Sequence, residues 1–389
     1  MLLELFLQAL SVLLLALIVE KTPDNLGPIA DLITGIVNKS SIISENLSPY
    51  RQNDGKDISV FPTSSSESIE TYDFIIVGAS PSGSALANRL SEVGKWNIIV
   101  LEAGGMPSPL TTIPVQCTLL SFTAYDWGAH TEPQEQHCRG CIDHRMKYAK
   151  GKGLGGSSIV NFMIYTRGNK IDYEKWEEMG NPGWSYEGVL PYFIKAEDAL
   201  IAIKDNEYHG HGGYMKVSDS NFRTKSVEAW VGSAIEAGHK YVDYNGNVEA
   251  LTYVKTNLTD PEHPTWPDIE LIFLAGTPAT DFGLYIRQIF NIPKETFNVV
   301  WKPLIGKPGF TVLTQLMHPI SVGYIRLRSK DSLDEPRYFT NFFSDPENID
   351  VRAHIAGIRE GQRIVSQPTM QRYGARIVDT PIPGRDREF

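Results

Sequence analysis

The sequence predicts an α/β protein, α+β overall, with a parallel βαβ unit in its first half and further strands and helices in its second. Three observations carry this. Phe74-Ile75-Ile76-Val77 is an unbroken apolar run closed by the turn Gly78-Ala79-Ser80-Pro81-Ser82-Gly83, as expected of a parallel strand buried on both faces. Leu86, Leu90 and Val93 follow at the spacing of one helix face, Gly94 supplies a stop, and Asn97 to Leu101 forms a second strand ending at Glu102. Further on, Trp266 to Phe273, Phe310 to Met317 and Ser321 to Arg328 read as strands, the last two joined at His318-Pro319-Ile320.

Taken in order, the chain opens on Leu2 to Val19, almost continuously apolar and ending at Glu20-Lys21 without a basic stop-transfer cluster. A secretory signal peptide over 1–20 is the expectation, with an uncleaved anchor as the alternative and no stable membrane span expected. Residues 21–71 read as a flexible leader, rich in Ser, Asn, Asp and Glu from about Asn38 onward. Asn38, Asn46 and Asn257 open glycosylation sequons consistent with an extracellular, secreted glycoprotein. The 389 residues suggest two or three domains, and a formal net charge of −10 argues against a nucleic-acid partner.

The βαβ unit is the first candidate site. A helix N-terminus aimed out of a glycine turn favours phosphate, because free N–H groups and the helix dipole both attract an anion. Glu102 sits about where a carboxylate must lie to accept from an adenosine ribose, roughly 20 residues after the first glycine. One position departs from the G-x-G-x-x-G fingerprint. Gly78 and Gly83 are in place, but Ser80 stands where the middle glycine would let the backbone approach a pyrophosphate. A βαβ unit in some other α/β protein is the plainer alternative.

Cys138 and Cys141 form a C-x-x-C pair flanked by His137 and His144, with Cys117 elsewhere. A metal knuckle needs a second ligand pair, and none is evident. A local disulfide is the expectation, leaving Cys117 over. Gly155-Gly156-Ser157-Ser158 before Ile159-Val160 reads as a turn offering N–H groups and hydroxyls to a ligand, or simply as a glycine turn into a core helix. His209 and His211 read as part of a surface turn rather than a ligand pair. Thr224 to Gly238 has helical spacing in Val227, Val231 and Ile235, and Asp345-Pro346-Glu347 reads as the start of a helix reaching about Gln367, where Pro368 stops it.

Residues Gly151-Lys152-Gly153-Leu154-Gly155-Gly156-Ser157-Ser158, followed by Asn161, Tyr165, Gly168 and Glu174, resemble the first signature of the glucose–methanol–choline (GMC) oxidoreductase family. The continuations Asp172 to Trp176, Gly180 to Tyr186 and Val189 to Phe193 resemble its insect glucose-dehydrogenase branch. The resemblance spans about Tyr72 to Gly384. It implies a Rossmann-like FAD-binding domain over 72–246 and a substrate-binding domain of antiparallel sheet and helices over 247–389. It also implies hydride transfer from the CH–OH group of an alcohol or sugar to flavin N5, with a quinone or other electron acceptor. Carried over residue by residue, Gly78, Ser80, Gly83 and Ser84 correspond to the pyrophosphate turn, and Glu102 with Ala103 to the ribose end. Gly155, Gly156 and Ser157 correspond to the loop beside the diphosphate, and Asn161, Phe162 and Met163 to the segment against the isoalloxazine.

Two departures shape the expectation. At Gly246–Asn247 the resemblance jumps from a DYNG-like segment to the later substrate domain, and no S-P-x-L-L-x-x-S-G-I-G-like string occurs. Beyond Gly384 the family's catalytic histidine segment has no counterpart, and no histidine follows His354. No catalytic residue is therefore assigned. The expected protein is an FAD-dependent oxidoreductase by family, impaired or inactive as this chain stands. The alternative is a non-catalytic secreted isoform, pseudoenzyme or gene-model fragment on a damaged, incomplete flavoprotein scaffold.

Overall fold

The computed structural model describes residues 71–201, 207–219, 222–240, 251–256, 258–260, 262–331 and 334–383. The expected signal peptide and leader, the sequon asparagines at 38, 46 and 257, and the segment 243–246 lie outside the described residues. The described chain forms two compact units interleaved in sequence. The first holds the chain up to Thr131, Met146–Met163 and Leu284–Asn291. The second holds Glu132–Arg145, Ile164–Gly283 and Ile292 onward. Residues 164–240 thus pack with the C-terminal half, and no single cut at Gly246 separates the units.

In the first unit, β1 (Phe74–Val77) pairs parallel with β2 (Ile98–Leu101), Phe74 opposite Ile98 and Val77 opposite Leu101. Helix α1 (Pro81–Ser91) crosses between them, with Pro81 in its first turn and Gly94 in the left-handed region just beyond its end. The strands and helix fall where the apolar runs and stop signals place them. Their burial does not. Among the described residues β1 and β2 form a two-stranded sheet. Ile76 is buried toward α1, whereas Ile75 and Val77 on the opposite face are 64% and 83% exposed. The expectation of a strand buried on both faces is thus corrected. No layer covers the second face among the described residues, and α1 itself buries no residue fully, with Leu86 exposed and Val93 lying past its end. The unit's core sits elsewhere, where Leu110, Leu119, Leu120, Tyr125, Ile159 and Val160 pack together under Tyr285. Lys147 is buried there, its Nζ 3.7 Å over the Phe122 ring and 3.7 Å from an Asp126 carboxylate oxygen.

The second unit starts with helices α2 (Lys170–Glu178) and α3 (Tyr186–Ala196). Asn169 and Asp172 close a capping box on α2, satisfying two of the N–H groups a helix start leaves open. A parallel pair follows, β3 (Glu197–Leu200) with β4 (Met215–Ser218). Helix α4 (Lys225–Glu236) is capped by Thr224 and followed by Gly238 in the left-handed region, as the pattern predicts. The three-stranded antiparallel sheet runs β5 (Leu251–Val254), β6 (Ile269–Leu274), β7 (Thr311–Leu316). Its central strand is fully buried at Ile269 and Leu271. Phe273 stacks between Trp230 of α4 and Phe310, and Ile364 and Val365 close the same core.

Two element expectations need correction. The stretch Ser321 to Arg328 does not extend the sheet of β7. Only Tyr324–Arg326 is strand (β8), and it pairs with Arg337–Phe339 (β9). The long helix does not start at Asp345: α5 is Ile349–Val365. Asp345 still caps it, accepting from the backbone N–H of Ile349 at 2.5 Å, so the signal marks a cap that lies one turn outside the helix. Helix α5 ends at Val365, short of Pro368 as expected, and Pro368 opens a short further helix, Pro368–Gln371. No helix of the described residues is long and apolar enough to cross a membrane.

Candidate dinucleotide site

The turn between β1 and α1 is built by two glycines for different reasons. Gly78 has φ +91°, a conformation that favours glycine. Gly83 has ordinary φ, but a Cβ there would sit 2.0 Å from the Gly78 carbonyl oxygen, so the helix can approach the strand only without one. Ser80, the departure from the fingerprint, has φ −64° and ψ 175°, which any residue adopts. Its side chain makes no cap hydrogen bond. Ser84 Oγ donates to the Ala79 carbonyl at 3.0 Å, bracing the turn from inside the helix.

Glu102 closes the turn from the end of β2. Its Oε2 accepts from the Ala79 N–H at 2.7 Å and its Oε1 from the Gly104 N–H at 2.9 Å. A carboxylate offers about four lone-pair positions. Two hold the turn, and two are left to meet hydroxyl donors of a ligand. Ala103 beside it is exposed.

The glycine-rich loop meets this turn directly. The Gly155 N–H donates to the Ala79 carbonyl at 2.8 Å. Gly156 has φ +53°, and a Cβ on it would lie 2.8 Å from Ser80 Cβ. The hydroxymethyl group of Ser80 is therefore seated against the bare face of Gly156. Ser157 Oγ accepts from the Gly151 N–H at 3.1 Å and pins the loop to its own start. Asn161 Oδ1 accepts from the Met163 N–H at 3.0 Å, Met163 is left-handed at φ +57°, and Phe162 and Met163 are 59% and 52% exposed. The structure thus brings Gly78, Ser80, Gly83, Ser84, Glu102, Gly155 and Gly156 together and leaves Ala103, Phe162 and Met163 on the surface. The sequence reading missed Gly104, whose added Cβ would fall 2.3 Å from the Gly153 backbone nitrogen. The Gly104-Gly105 doublet directly after Glu102 was the available signal.

Other readings resolve away from this turn. Cys138 and Cys141 form a disulfide, as expected, and Cys117 is free and buried, its thiol pushed up by burial. His209 does not lie in a surface turn. It is buried with Nδ1 3.1 Å from a Glu197 oxygen, while Arg167 Nη2 donates to the same carboxylate at 2.7 Å and the Gly210 N–H at 3.0 Å. The buried charge of Glu197 draws the histidine in, and a partner twelve residues away is invisible to a reading of the turn alone. His211 stays exposed. Among the described residues no group of three or more His, Cys, Asp or Glu could hold a metal ion. A cleft of about 310 Å³ lined by Glu228, Ala229, Thr369, Arg372 and Tyr373 contains none of the expected site residues.

A parallel βαβ unit with a glycine turn, a carboxylate clasp at the end of the second strand and a second glycine loop against the first is the arrangement of a dinucleotide-binding unit. Residues 72–253 match the family model of GMC oxidoreductase. The chain is 39% identical over 176 residues to glucose dehydrogenase (FAD, quinone) of Drosophila pseudoobscura pseudoobscura, covering 45% of this chain and 28% of that protein. It is 39% identical over 183 residues to oxygen-dependent choline dehydrogenase of Staphylococcus saprophyticus, covering 46% and 32%. The match therefore spans about a third or less of each curated relative's length. Among solved structures, pyridoxine 4-oxidase from Mesorbium loti superposes with a TM-score of 0.61 at 16% identity, over 82% of this chain and 84% of that one. Formate oxidase superposes at 0.62 and 17%, over 77% and 82%. At these identities the likeness is one of fold.

Proposed function

We propose that the chain binds FAD at the β1–α1 turn as a glucose-dehydrogenase-like GMC oxidoreductase, with an alcohol or sugar as substrate and a quinone or other acceptor for the electrons. The observation that carries this is the clasp of Glu102 on Ala79 and Gly104 beside the open end of α1. The backbone donors at the start of α1 suit a diphosphate, and the two remaining acceptor positions of Glu102 suit a ribose. Bound FAD would supply the acceptor for a hydride from the CH–OH carbon of the substrate. The chain's own groups bind and orient. Free N–H groups in the first turn of α1 would meet the anion, Glu102 would take the ribose hydroxyls, and Gly155 holds the second loop against the turn by donating to Ala79. The apolar leader Leu2–Val19 supports secretion.

We further propose that turnover is impaired. Ser80 Cβ fills the contact between the two glycine turns, where a pyrophosphate would approach. Among the described residues of the first unit His130 is the one histidine, and its Nδ1 lies 2.9 Å from the Gly128 carbonyl oxygen. A positioned base contributes on the order of 10²–10⁴-fold. Purified protein is expected to show flavin absorbance with slow or absent bleaching by glucose and other alcohols in the presence of a quinone or dye. Rapid bleaching would overturn the impairment. A folded, colourless protein that stays colourless after incubation with FAD would overturn the cofactor and favour the non-catalytic alternative, which the uncovered face of β1 supports.

A further inference from the structure

The loop Glu132–Arg145 of the second unit holds the disulfide Cys138–Cys141 in a way the proposed flavin chemistry does not use. Both cysteines are half-buried, and Arg139 and Gly140 between them are exposed. Three non-glycine residues of this loop sit in the left-handed region, Cys138 at φ +56°, Asp143 at +54° and His144 at +55°. L residues enter that region at a cost and persist there only when something over-determines the backbone. The three-residue bridge supplies that constraint at Cys138. Arg139 stands between the two cysteines in sequence and its Nε donates to the Glu135 carbonyl at 2.8 Å. The Arg145 carbonyl oxygen lies 3.4 Å from Cys138 Sγ and is placed to accept from the thiol once the bridge opens.

The same loop clamps the β8–β9 hairpin. The Glu132 N–H donates to the Tyr338 carbonyl at 2.8 Å, and its carboxylate pairs with Arg328 at 3.1 Å and Arg337 at 3.2 Å. Gln134 Oε1 accepts from the Asn341 N–H at 3.1 Å. His137 is buried, with Nε2 3.2 Å from Thr340 Oγ1 and its ring edge-on to Phe342.

We propose that Cys138–Cys141 is an exchangeable disulfide that accepts two electrons from a dithiol and that its opening loosens the clamp on β8–β9. A dithiol thiolate attacks one sulfur, the S–S bond breaks, and the other cysteine leaves as thiolate and takes a proton. The second thiol of the donor then attacks the mixed disulfide. Cys138 and Cys141 both end as thiols, and the dithiol ends as a disulfide. The full chain is titrated with dithiothreitol under native conditions, alkylated and mapped by mass spectrometry, with trypsin cleavage at Arg328 and Arg337 followed in parallel. Two thiols are expected at Cys138 and Cys141 while buried Cys117 stays unalkylated. Cleavage is expected to quicken about tenfold and to revert on reoxidation. Cys138→Ala/Cys141→Ala is expected to match the reduced chain and to ignore dithiothreitol. A bridge that opens only once Cys117 becomes reactive would sink the proposal, and so would unchanged cleavage after clean reduction. Both readouts in the native chain stand whether or not the double variant folds, and neither needs bound flavin.

Discussion

At the scale of single residues, the site rests on Glu102 and on the contact between Ser80 and Gly156. Glu102 ties β2 to the turn and still has acceptor capacity to spare. Glu102→Gln keeps the shape but replaces one acceptor oxygen with a donor, so either the Ala79 or the Gly104 N–H loses its partner and the ligand loses an acceptor. Hydrogen bonds to a charged group contribute roughly 1.5–3 kcal/mol. Titration by flavin fluorescence is therefore expected to show FAD affinity falling about 10- to 100-fold, with unchanged affinity excluding Glu102 from the site. Gly156→Ala places a Cβ 2.8 Å from Ser80 Cβ and 2.9 Å from its Cα, at φ +53°. It is expected to cost about 2 kcal/mol in chemical denaturation. Ser80→Gly removes the side-chain half of that clash and leaves the backbone half, so in its background the cost should shrink without vanishing. Strict additivity of the two would show that Ser80 and Gly156 do not touch. Ser80→Gly alone is expected to leave dye-linked turnover where it was, because it supplies no base.

At the scale of elements, the legible parts were those written in local pattern. The apolar run of β1, the cap and stop of α4 and the strands β6 and β7 all lie where spacing and punctuation put them. The illegible parts depend on a partner. β9 is three residues, Arg337-Tyr338-Phe339, too short to alternate visibly, and it redirects β8 away from β7. His209 follows the buried Glu197, and Asp345 caps a helix whose first turn lies further along than the motif implies. Helix α5 carries a testable consequence. His354 lies against Phe343, its Nδ1 is buried without a hydrogen-bond partner, and burial depresses its pKa. His318 and His137 are depressed by burial in the same way. The fold thus favours neutral imidazole, while the unfolded chain takes up a proton near pH 6.5. The stability these groups permit is fully present above about pH 6.5 and is lost as pH falls below it toward the depressed folded values. His354→Leu fills the site without a titrating group. Urea midpoints at pH 7.5 and 5.5 should therefore lie closer together in the variant, with about 1 kcal/mol gained at the lower pH. An unaltered gap would show that His354 is not protonated on unfolding.

At the scale of the whole molecule, the two units differ in how their sheets are finished. The second unit buries β6 between α4, α5 and its flanking strands, so its apolar side chains meet one another. The first unit carries a parallel pair, a kind of sheet found almost only with both faces covered. Among its described residues one face of β1 meets no layer, with Ile75 64% and Val77 83% exposed. Local pattern announces such a strand but not whether a cover exists, because the cover comes from distant chain. The curated relatives share 28% and 32% of their length with this chain, so much of what those proteins contain has no aligned counterpart here. An uncovered apolar face flanked by unpaired strand edges favours self-association. Ile75→Thr/Val77→Thr keeps β-branched side chains, and with them the strand preference, while making the outer face polar. Neither residue touches the Ala79–Glu102 clasp. Light scattering at micromolar concentration should show the parent associating and the double variant shifting toward monomer, with thermal stability changed by less than about 1 kcal/mol. A large loss of stability with no change in association would mean instead that this face is covered in solution and that the substitutions broke a buried contact.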